Sequence, residues 1–87
     1  MDKIVILASP VAPTQQIFIY SDNRITDKIG APLDHINNIV PAIIETSGIK
    51  QIEISGNRAF ALGIQEQLLR TLQTEFTSIS DVNIICI

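Results

Sequence analysis

The residues with the best claim to chemistry are Ser55, Gly56, Asn57 and Arg58. They fall where the alternating stretch Lys50 to Ser55 hands over to a helical pattern beginning near Arg58. The first N–H groups of a helix lack intrahelical partners and sit at the positive end of its dipole, so such a junction receives anions. In open α/β sheets, ligands favour that same edge. Gly56 would admit a phosphate close to the backbone and Arg58 would pair with it, which suits a nucleotide or a phosphorylated small molecule. The same four residues also have a purely structural reading, in which Asn57 caps the helix and Gly56 makes the turn.

Other chemistry-bearing residues are sparse. His35 is the single histidine; beside Asp34 it is a poor acid–base partner, because helix neighbours point to different faces. Cys86 is the single cysteine, which rules out an internal disulfide and a cysteine-based metal site and suits a reducing compartment. It reads as a small apolar residue within a strand. Ser9 lacks the glycines that would flank a nucleophile, and reads as a loop residue. Tyr20 and Asp22 would line a site only at the edge of a hairpin. Glu53, Asp81 and Asp22 are the acids available to a metal-dependent nuclease or hydrolase. No catalytic set, metal site or cofactor is expected.

Composition narrows the function further. The 87 residues fit one domain, with 46% hydrophobic and only 17% charged residues, the charged share below the roughly 25% of ordinary soluble domains. The net charge is −3, and Lys3, Arg24, Lys28, Lys50, Arg58 and Arg70 are scattered. Duplex nucleic acid is therefore not an expected partner, since its affinity comes from clustered Lys and Arg. The apolar run Ile4 to Ala8 is too short for a signal-peptide core or a membrane span. A cytoplasmic protein is expected.

These residues need elements to hold them. Lys3 to Ala8 is a strand by its β-branched run. Gln15 to Tyr20 is a second strand, turned by Ser21-Asp22-Asn23 into a short third, Arg24 to Thr26. Asp27 to Pro32 reads as a connection. Ile36, Ile39, Val40, Ile43 and Ile44 follow helical spacing; Pro41 either kinks that helix or opens a shorter one. Gly48 stops it. Lys50 to Ser55 is a strand, Arg58 to Thr77 a helix, and Val82 to Ile87 a last strand, central or paired with another chain. Gly63 in the second helix suggests close packing against a neighbour. The expectation is one α/β domain with a mixed β-β-β-α-β-α-β sheet and two helices mainly on one face.

That order resembles the core of the ribonuclease H-like fold, shared by Holliday-junction resolvases and by halves of the actin-like ATPases. Ile36-Asn37-Asn38-Ile39-Val40-Pro41, Ile52-Glu53-Ile54-Ser55-Gly56-Asn57 and Leu62-Gly63-Ile64 are also similar to stretches of small uncharacterised bacteriophage proteins. The first resemblance implies two divalent metals held by carboxylates, one from the opening strand. Ile4-Val5-Ile6-Leu7-Ala8 carries none, and the glycine-rich phosphate loop of the actin-like proteins is missing after it. A non-catalytic scaffold fits this departure best.

Right-handed crossovers would place both helices on one face of the sheet. Val5, Leu7, Ile85 and Ile87 then point to one side, and Ile4, Ile6, Ile84 and Cys86 to the other. Both sets are apolar, so one remains open unless the second helix crosses over to it. An open apolar patch of that kind marks an interface. The expected partner is a second copy or another protein, docked on that face or along the last strand.

Overall fold

The computed structural model describes residues 1–87. In chain order, the elements are β1 (Lys3–Ala8), β2 (Gln15–Ser21), β3 (Arg24–Ala31), α1 (Ile36–Ser47), β4 (Gln51–Gly56), α2 (Arg58–Glu75) and β5 (Asn83–Cys86), with single 3-10 turns at Leu33–His35 and Thr77–Ile79. The strands form one mixed sheet in the order β3-β2-β1-β4-β5. β1 pairs antiparallel with β2 and β2 with β3, whereas β1–β4 and β4–β5 are parallel. This is the expected β-β-β-α-β-α-β mixed sheet.

Alternation along the strands decides which side becomes the core. Ile4, Ile6, Ile17, Ile52, Ile54 and Ile84 are buried on one side, together with Ile36, Val40 and Ile44 of α1 and Ala61, Ile64, Leu68 and Leu72 of α2. Both helices therefore cover the same face. A fully buried isoleucine contributes about 1.5–3 kcal/mol, and this aliphatic layer is what closes so small a chain.

Local chemistry explains most of the boundaries. Asp22 and Asn23 both take positive φ, 53° and 64°, as a two-residue hairpin turn of the right twist demands. Gly48 ends α1 in the left-handed conformation, its N–H donating to the Ile44 C=O. The Asn57 side chain accepts the Phe60 N–H at 3.0 Å and starts α2. Gln15, only 2% exposed, uses its amide twice: Oε1 accepts the Ser9 N–H at 2.7 Å and Nε2 donates to the Ser9 C=O at 3.0 Å. That clamp ties together the base of the Ser9–Thr14 loop.

Three expectations need correction, and the structure decides between the two alternatives for Pro41. β3 does not stop at Thr26; it runs to Ala31, with Ile29 opposite Ile17 and Ala31 opposite Gln15. Asp27, Lys28 and Gly30 are poor strand formers, and pairing to β2 overrides their preference. β5 is an edge strand rather than a central one. α1 begins at Ile36, so Pro41 lies inside it, buried; the missing N–H removes the bond to the Asn37 C=O, and burial of Ile36, Val40 and Ile44 holds the helix together across the gap. Gly63 packs against nothing, since a Cβ built there finds no atom within 4 Å.

Candidate functional site

Ser55, Gly56, Asn57 and Arg58 do sit at the junction of β4 and α2. Gly56 has φ +104°, and a Cβ built there would overlap the Ala8 C=O oxygen. Glycine is thus required by the close passage of β1, and the Asn57 N–H seals that passage by donating to the Ala8 C=O at 3.1 Å. With Asn57 also capping α2, two of the four residues have their types accounted for by folding. Arg58 is exposed at the start of α2.

The acids are dispersed. Glu53 lies midway along β4 and pairs with Lys3 at 3.2 Å. Asp81, ahead of β5, pairs with Lys50 at 2.9 Å; the hydrogen bond and charge of the Lys50 ammonium hold its carboxyl below the ordinary aspartate value. Asp22 occupies the β2–β3 turn, toward the other edge of the sheet. No three His, Cys, Asp or Glu side chains gather into a metal-holding group. His35 ends the 3-10 turn before α1. The half-buried Cys86 thiol lies 3.5 Å from the Gln65 Oε1. A shallow, mostly apolar groove runs between Leu33 and the Ala59, Phe60 and Gly63 side of α2.

The face opposite the helices is the larger feature. Register places Lys28, Phe18, Val5, Glu53 and Ile85 in one row across the five strands, from β3 to β5. The next row carries Gln16, Leu7 and Ser55. Leu7 is 44% exposed although it lies on the central strand, and no helix covers this side. The charges on the face lie down against it. The Lys28 Nζ leans inward to 5.6 Å from the centroid of the Phe18 ring, and the Lys3 Nζ is 5.2 Å from that of Tyr20. Both are cation–π distances, and they leave Val5 and Leu7 at the centre of an apolar strip flanked by flattened lysines.

Both edges of the sheet are blunted. The phase of the ladder turns the Lys28 N–H to the free side of β3, and the Asp27 carboxylate accepts it at 2.8 Å. On β5, the Ile84 C=O faces outward and accepts from the Gln65 Nε2 at 2.8 Å. Side chains that occupy edge groups in this way oppose strand addition.

Val5, Leu7 and Ile85 were visible in the sequence as one side of an apolar alternation; Phe18, Lys3 and Lys28 were not. Phe18 follows the same alternation in β2, whereas Lys28 joins the face only because β3 is longer than its composition suggests. No helix is long and apolar enough to cross a membrane. Comparison with family models, with curated proteins and with solved structures found no match to this chain.

Proposed function

We propose that this chain is a non-catalytic assembly protein whose working surface is the uncovered sheet face. The observation behind this reading is the contiguous apolar group Phe18, Val5 and Leu7 on β2 and the central β1, bounded on the far side by Glu53, with no helix above it. Isolated exposed apolar residues need no explanation, but a contiguous strip on a central strand keeps its apolar character at a cost in solubility unless something covers it. The dispersed acids and the structural duties of Gly56 and Asn57 leave a catalytic or anion-binding role with less support.

Leu7→Glu is the test. Leu7 lies outside the core, so the variant keeps the helical and strand circular-dichroism signature and loses association with protein partners, measured by sedimentation velocity. Association that survives Leu7→Glu in the folded variant would refute the reading.

A further inference from the structure

Resting on that reading, we infer that the occupant of the open face is a second copy of this chain, turned over about an axis along β1 so that Val5 meets Val5. The charges argue for this arrangement. In the central row, Lys28 stands on β3 and Glu53 on β4, on opposite sides of Val5. Lys28 does not stay in its own column, because its Nζ reaches over the Phe18 ring of β2. Rotation about β1 lays β2 of one copy against β4 of the other. Each Lys28 ammonium then faces the Glu53 carboxylate of the opposite copy, once on either side of the axis. Glu53 is already approached by Lys3 at 3.2 Å, so the second cation completes a three-member cluster.

Shape and area agree. Sheets stack face to face with strands within about 30° of one another, which rotation about a strand axis provides. Five strands at roughly 4.8 Å and strands of about 20 Å give a pair on the order of 1,000 Å² of buried surface, at the lower bound of specific interfaces. A reversible dimer of micromolar affinity is the expectation. Edge-to-edge assembly is opposed by Asp27 on β3 and Gln65 on β5. The face carries both signs of charge, a poor match for a uniformly acidic or basic partner and a good one for itself.

Sedimentation equilibrium on the whole chain and three variants tests this. The wild type reaches twice its 9.6 kDa mass, and Leu7→Glu does not. Lys28→Glu brings two carboxylates face to face across the interface, and Glu53→Lys brings two ammonium groups face to face. Each alone therefore weakens dimerisation at least about tenfold. Mixing the two variants restores a dimer, because every facing pair is then of opposite sign. A dimer that tolerates both single charge reversals, or a mixture that stays monomeric, would overturn the two-copy geometry while the role of the face stands. A wild type that is monomeric at high micromolar concentration removes the second copy as occupant. A dimer indifferent to Leu7→Glu removes both the geometry and the proposed function.

Discussion

Gly56→Ala tests whether the β4–α2 junction is chiefly a piece of folding machinery. The φ of +104° costs an L-residue about 1–3 kcal/mol. The new Cβ would also overlap the Ala8 C=O oxygen and stand 3.0 Å from the Ala8 nitrogen, and all of these atoms belong to backbone or sit directly on it, so none can rotate away. Relief requires β1 and β4 to part, which breaks the bond from the Asn57 N–H to the Ala8 C=O at about 1 kcal/mol, more if either group is left buried and unpaired. Strain and lost bond together come to about 2–4 kcal/mol. For 87 residues, at about 0.05–0.15 kcal/mol each, total stability is about 4–13 kcal/mol. The variant loses a large share of that stability, with Tm lowered by roughly 8–32 °C. Urea unfolding followed by circular dichroism reads the change, and Arg58→Ala serves as the control, expected within about 0.5 kcal/mol of wild type. A Gly56→Ala loss below about 1 kcal/mol would refute the close-passage argument. Inorganic phosphate added to the same wild-type samples checks the anion reading, because a bound ligand at about 100 times its Kd adds about 2.7 kcal/mol.

Gly63→Ala is expected to stabilise the chain by about 0.8–1.0 kcal/mol in the same urea experiment, since the site is helical and open. Gln15→Leu is expected to lose about 2–4 kcal/mol, because it strands the Ser9 N–H and C=O that the buried amide serves. The Asp81 carboxyl titrates below ordinary aspartate, so its pair with Lys50 favours the folded chain above the unfolded aspartate pKa and fades as pH falls through the folded one. Lys50→Gln moves the Asp81 midpoint back up, read from its carboxyl carbon shift by NMR.

The sequence revealed those features that rest on local chemistry. Asp22-Asn23 is a hairpin turn because both residues tolerate positive φ, Gly48 stops α1 for the same reason, and Asn57 offers an acceptor where α2 begins. Features set by distant partners were hidden. Asp27, Lys28 and Gly30 become strand only against Gln16, Phe18 and Ile19, which their own types do not announce. The apolar Ile84-Ile85-Cys86 suggested a strand either central or paired with another chain; it lies at the sheet edge, where Gln65, 19 residues before Ile84, reaches across to occupy the outward carbonyl. Gly63 suggested a neighbour that this chain does not supply. At the candidate surface, Val5, Leu7 and Ile85 were legible from alternation, while Lys28 over Phe18 needed the register of β3.

The placement of β1 sets the order in which the chain can fold. Its contacts with β2 close loops of roughly a dozen residues, as between Ile6 and Ile17, whereas Ile4 reaches Ile52 only across 48 positions. Short closures cost less than long ones, so β1, β2 and β3 can pair before β4 reaches β1, leaving Ile4, Ile6 and Ile17 bare on one side and Val5, Leu7 and Phe18 on the other. A nascent ribbon greasy on both sides is prone to clump. The sooner α1 and β4 reach that ribbon, the shorter the time its apolar sides stand open to other chains.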